Sequence, residues 1–149
     1  MAAPLIYVLL GPNHNMLGER EPHLYGTQTM GEVEIFCTEE AAKLGVEIVF
    51  RQSNHEGDLL DWIHEANGTA IGVVLNASAL ARTSLVLQST VKAVSVPVIE
   101  VHVTNIHRRD DRPGSVLSKV AAGLITGFGN DSYRLGMMAV CRLAGLGAT

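Results

Sequence analysis

The chain predicts an α/β fold, a parallel sheet with helices on both faces, and three observations carry that reading. Short apolar runs alternate with segments whose apolar residues recur every three or four positions. The runs are of strand length and hold few polar residues, as expected of strands covered on both sides. The helical segments open at threonine, serine or asparagine, and two of them close at glycines. With 149 residues, 47% hydrophobic and 17% charged, the chain can bury a core without disulfides and is too apolar for disorder. Residues 1–149 are therefore expected to form one domain.

Residues 5–10 form the first apolar run and the first expected strand. A polar, glycine-punctuated loop follows, from Gly11 to Gly26. Thr29 and Glu32 fit a capping box, in which hydroxyl and carboxylate satisfy free backbone donors. Behind it Val33, Phe36, Cys37, Ala41 and Leu44 recur at helical spacing, and Gly45 is a natural stop. Residues 46–50 read as a second strand. Ser53 and Glu56 suggest another capping box, opening a helix that turns Leu59, Leu60, Ile63 and Ala66 inward and stops near Asn67. A third strand is expected at 71–75, a helix from Ser84 to about Val94, and a fourth strand at 98–103 after Pro97. Residues 123–128 complete the strands, and Asn130 with Ser132 is expected to cap a last helix through Leu143. The pattern does not fix the strand order.

Several function classes are disfavoured. A net charge of -4 argues against a nucleic-acid partner. The mixed-sign cluster at 108–112 reads as a solvated loop. Cys37 and Cys141 lie in helical patterns without metal spacing, which fits reduced, buried thiols of a cytoplasmic protein. No apolar run is long enough to span a bilayer. His102 and His107 stand five apart, unlike a helical metal pair, so no metal is expected. His55 is assigned to a helix cap, and Trp62, Met137 and Met138 to core or subunit contacts.

In such folds ligands bind beyond the carboxyl ends of the strands. There the sequence places Gly11-Pro12-Asn13, then Asn76, then Glu100, His102, Thr104 and Asn105. The loop tethered to that edge carries Arg20 and Tyr25. A tyrosine titrates near ~10 and becomes a useful base only if a cation lowers that value; Arg20 is the candidate. Singly, Arg20 reads as a solvated side chain, Tyr25 as a packing residue and His102 as a core histidine. Their convergence on one edge is what suggests chemistry.

The segments Gly11-Pro12-Asn13, Leu17-Gly18, Arg20-Glu21-Pro22 and Tyr25-Gly26 resemble the signature of type II 3-dehydroquinate dehydratase. So do residues 52–57, 61–64, 97–107, 127–129 and 133–135, so that the match is spread over nearly the whole chain. The resemblance implies a flavodoxin-like sheet of five parallel strands, a homo-oligomer that is a dodecamer of four trimers or, given Ser89, a trimer, and a small cyclic carboxylate as substrate, with no cofactor or metal. It implies an anti elimination of water through an enolate. Tyr25 would be the base, with Arg20 lowering its pKa; Asn13 would hold a water on the enolate. His102 would be the general acid, oriented by Glu100. Asn76, Arg82, Val103, Thr104 and Arg112 would bind substrate.

The chain also departs from the family pattern. Arg82 stands where a histidine is usual, Ser89 where an aspartate usually reaches a neighbouring subunit, and the stretch 111–115 is one residue shorter. His14 and Met16 replace leucines. These changes leave two alternatives beside the ordinary reaction. One is a relative acting on a related cyclic hydroxy ketone carboxylate, and the other a catalytically silent binding or assembly homologue.

Overall fold

The computed structural model describes residues 2–19, 21, 23, 27–109, 111 and 113–147. Five strands, β1 (Leu5–Leu10), β2 (Glu47–Gln52), β3 (Gly72–Asn76), β4 (Val98–His102) and β5 (Gly123–Thr126), pair entirely in parallel. Their order is β2-β1-β3-β4-β5. The chain thus builds outward from β1 in one direction, then crosses back to build in the other.

Among the described residues the α-helices that connect them are α1 (Met30–Lys43), α2 (Glu56–Ala66), α3 (Leu80–Thr83), α4 (Leu85–Ala93) and α5 (Asp131–Leu143). Strand alternation divides the core in two. Ile6, Val8 and Leu10 of β1 pack with Val33 and Cys37 of α1 and Tyr133, Met137 and Val140 of α5. Tyr7 and Leu9 face the other way, onto Leu59 and Ile63 of α2 and Leu87 and Val91 of α4. Close approach of helix and sheet requires Gly72, because a Cβ there would lie 2.3 Å from Val140 Cγ1.

Thr29 caps α1 as expected, accepting from the Glu32 amide at 3.2 Å, and Gly45 ends that segment in the left-handed region at φ 75°. Ser84 caps α4 in the same way, at 3.0 Å from the Leu87 amide. Ser53 does not cap α2. Its hydroxyl donates to Asp58 at 2.6 Å and accepts from the His55 amide at 2.9 Å, so the helix begins later, with His55 at the cap position. The Glu56 carboxylate instead accepts from Ser84 at 2.5 Å, tying α2 to the start of α4. Asn130 makes no side-chain cap either; its amide donates to Gln28. The strand at 98–103 stops at His102, and the one at 123–128 stops at Thr126. Helix α3 has no counterpart in the sequence reading.

Both cysteines are buried free thiols, and burial, aided by the Glu34 charge, pushes Cys37 up to about 12. No described helix is long and apolar enough to cross a membrane.

Candidate active site

The carboxyl ends of β1, β3 and β4 meet where the chain reverses its direction of building, the usual place for a ligand in such sheets. At that edge His14, Asn76, Ser78, Arg82, His102, Val103, Thr104 and Arg109 line a polar cleft.

The cleft is backed by a carboxylate–imidazole pair on β4. His102 Nε2 lies 2.6 Å from Glu100 Oε2, and the other carboxylate oxygen accepts from Ser118 Oγ at 2.7 Å. Glu100 is 0% exposed. Burial alone would raise its pKa, but hydrogen bonds from His102, Ser115 and Ser118, with the His102 charge, hold it below the ordinary carboxylate range. An ionised carboxylate only accepts, so His102 donates from Nε2 and Nδ1 is left for a ligand.

After β4 the peptides are set by the loop that follows β5. Gly127 N donates to His102 O at 3.0 Å and Gly129 N to Val103 O at 2.9 Å. No peptide bond here is cis, so the amides of Val103 and Thr104 point away from those glycines. Both residues line the cleft, where their N–H groups suit an anionic oxygen. Thr126 Oγ1 donates to Thr104 O at 2.9 Å and fixes the next peptide.

Asn76 closes β3 with its side chain fully committed in direction. Its Nδ2 donates to Tyr133 Oη at 2.9 Å, and its Oδ1 accepts from the Ser78 amide at 3.3 Å. Burial drives the Tyr133 phenol far above its usual pKa, so it stays neutral. Gly11 ends β1 against β3, where a Cβ would come within 2.6 Å of Ala77 O. Gln52 Nε2 supports this corner, donating to Gly11 O at 3.2 Å and Asn54 Oδ1 at 3.1 Å. Asn54 Oδ1 in turn accepts from Asn13 N at 2.9 Å.

Among the residues expected from sequence, Asn76, Arg82, Glu100, His102, Val103 and Thr104 come together here. Asn13 sits outside the lining, exposed and left-handed at φ 73°, heading the 3-10 turn His14–Met16. Tyr25, Arg20 and Arg112 lie outside the described residues. Ser89 is exposed on α4. The solvated-loop reading of 108–112 is corrected at one position: Arg109 is half-buried and lines the cleft. Sequence reading places Ser78, just after Asn76, at this edge, but misses His14 as a cleft residue. The signal for His14 was its place in a signature loop, four residues after Leu10, the end of β1.

A family model described as Dehydroquinase class II matches residues 4–141. A 3-dehydroquinate dehydratase of Rhizobium meliloti is 46% identical over 139 residues, 93% of this chain and 94% of that protein. One from Azorhizobium caulinodans is 52% identical over 136 residues, covering 91% and 92%. The crystal structure of the type II dehydroquinase from Propionibacterium acnes superposes with a TM-score of 0.88 at 34% identity, covering 97% of this chain and 98% of that one. With its sheet, its signature loop and its buried carboxylate–imidazole pair, the chain belongs to the class II dehydroquinase family.

Proposed function

We infer that this protein is a hydro-lyase that converts 3-dehydroquinate to 3-dehydroshikimate, with His102 as the general acid. The observation that carries the reading is the buried Glu100–His102 pair opening onto a cleft that also holds Arg82 and Arg109. A protein of net charge -4 that concentrates cations in one cleft is built for an anionic ligand there.

The reaction removes a proton beside the ring ketone, moves that electron pair into an enolate, then expels the β-hydroxyl as water while the carbon–carbon double bond forms. His102, held by Glu100, supplies the proton to the leaving oxygen from Nδ1. The amides of Val103 and Thr104 and the Thr104 hydroxyl take the carboxylate, and Asn76 and Arg82 take ring hydroxyls. Asn13, at the rim, holds a water on the enolate oxygen.

Tyr25 is the base, with Arg20 lowering its pKa, and Arg112 completes the substrate site. Support for Tyr25 comes from the other two of the chain's three tyrosines. Burial and the Glu65 carboxylate raise Tyr7, while burial raises Tyr133, so both are poor bases at neutral pH. Bringing a phenol from ~10 to ~7 needs roughly 4 kcal/mol of differential stabilisation, a plausible share for one guanidinium in a closed site.

The protein works in the cytoplasm as a homo-oligomer, a dodecamer of four trimers. An apolar groove between β5 and α5, with Phe128 and Met138 exposed on it, supports contact between copies. Light scattering reads the assembly, and a 15.9 kDa particle would contradict it.

Dehydration creates a conjugated enone, so ultraviolet absorbance of purified protein with 3-dehydroquinate tests the reaction. A steady rise is expected. A flat trace from folded protein overturns the reading.

A further inference from the structure

The Glu100 carboxylate has two oxygens, and the reaction as described uses one. Oε2 accepts from His102, while Oε1 is held from outside the strand by Ser118 Oγ at 2.7 Å. We propose that Ser118 is a positioning residue for the elimination: through Glu100, its hydroxyl sets how tightly His102 holds the proton it delivers. The proposal deepens the dehydratase reading and rests on it.

Ser118 lies in a turn built to carry it. Leu117 has no solvent access and anchors the turn in the core. On one side Val116 N donates to Ala81 O of α3 at 2.7 Å, and on the other Gln88 Nε2 of α4 donates to Val116 O at 2.7 Å. Leu117 N donates to Ser115 Oγ at 3.0 Å, while Val120 N and Ala121 N close on Leu117 O at 3.0 and 2.9 Å. These bonds join the turn to two helices, so Ser118 meets Glu100 from a fixed platform. A hydroxyl donating to a buried, ionised carboxylate makes a charge-assisted bond, roughly twice as strong as a neutral one.

Glu100 and His102 titrate as one unit, because a hydrogen lies between them across 2.6 Å. Each donor to the carboxylate spreads its negative charge and favours the state in which the pair has released its proton. Removing the Ser118 hydroxyl takes a donor from Oε1 where no solvent reaches to replace it, so the pair holds its proton more tightly. A weaker acid protonates the leaving oxygen more slowly. The other charges near the pair are left in place. β3 and β5, which flank β4, hold no titratable side chain, and α5 packs on the opposite face, against Ile99 and Val101. Lys92 of α4, Lys119 beside Ser118, and His107, Arg108 and Asp111 beyond β4 are exposed. His14, Arg82 and Arg109 line the cleft, and none of these groups changes in the variants below.

The test compares wild type with Ser118→Ala, Ser118→Cys and Ser118→Thr. One readout is kcat on 3-dehydroquinate against pH; the other is the pH dependence of His102 modification by diethyl pyrocarbonate. That reagent acylates neutral imidazole, and peptide mass spectrometry separates His102 from His107, so the second readout needs no turnover. Ser118→Ala is expected to move the alkaline limb of kcat and the midpoint of His102 modification upward together, by about half to one pH unit. Its plateau kcat should fall up to about tenfold. Ser118→Thr keeps the hydroxyl and should hold both midpoints near wild type. Ser118→Cys, whose thiol is a weak donor, should fall between them, and it carries the comparison if the alanine variant does not fold. A turn that merely loosened would let Glu100 drift from His102, and both midpoints would move down instead.

Midpoints in Ser118→Ala within about 0.2 pH units of wild type, or below it, overturn the proposal. So does a Ser118→Thr protein shifted as far as Ser118→Ala. Wild type that forms no enone defeats the dehydratase reading, while the modification midpoints still decide whether Ser118 acts on His102.

Discussion

Glu100 keeps a negative charge with no access to solvent because three hydroxyl and imidazole donors surround it. Replacing it with glutamine leaves the shape and removes the charge that fixes the His102 tautomer. A hydrogen bond to a charged partner contributes about 1.5–3 kcal/mol, so Glu100→Gln should lower kcat by about 10- to 100-fold in steady-state assays. Acid stability checks the same charge. The native pKa lies below the unfolded value of ~4.3, so the stabilisation is complete above that value and is lost as pH falls through the native one. Between about pH 6 and 3, urea midpoints of wild type should fall more steeply than those of Glu100→Gln, and the gap between them should close. A gap that widens on acidification would mean the carboxylate is not held charged in the fold.

At the scale of elements, the site is the corner where β1 and β3 end, and Gly11 sets how closely they meet. Gly11→Ala would place a Cβ 2.6 Å from a backbone oxygen that cannot move alone, whereas Gly72→Ala meets the Val140 side chain at the far end of β3. Both substitutions should cost about 1–3 kcal/mol in denaturant melts. Gly11→Ala should also lower kcat/KM, because Gly11 O holds His14 and the chain leads on to Asn13; Gly72→Ala should leave turnover near wild type. The Thr29 and Ser84 caps each accept from the amide three residues on, as the local cap rule expects. Ser53 was misread because its hydroxyl accepts from the His55 amide, two residues on, while donating to Asp58, and no local rule shows that. Helix α3 escaped notice because four residues are too few to display a period.

Over the whole molecule, alternation of apolar runs foretold the parallel sheet, while its order, β2-β1-β3-β4-β5, needed the strand registers. The β4 residues of the site were legible because a glutamate and a histidine on a buried strand require a reason. Arg109 was not, since its polar surroundings in sequence resemble any exposed loop and only the fold turns it toward the β4 end. The same holds for His14, joined at 2.9 Å to Ser78 sixty-four positions away. The proposed elimination depends on His102 giving its proton to the departing oxygen. The most direct measurement is kcat of His102→Ala on 3-dehydroquinate, with the fold checked by its melting temperature. A folded variant with kcat lowered about 10²- to 10⁴-fold is the result expected of a lost general acid. A folded variant with kcat within about twofold of wild type would contradict it.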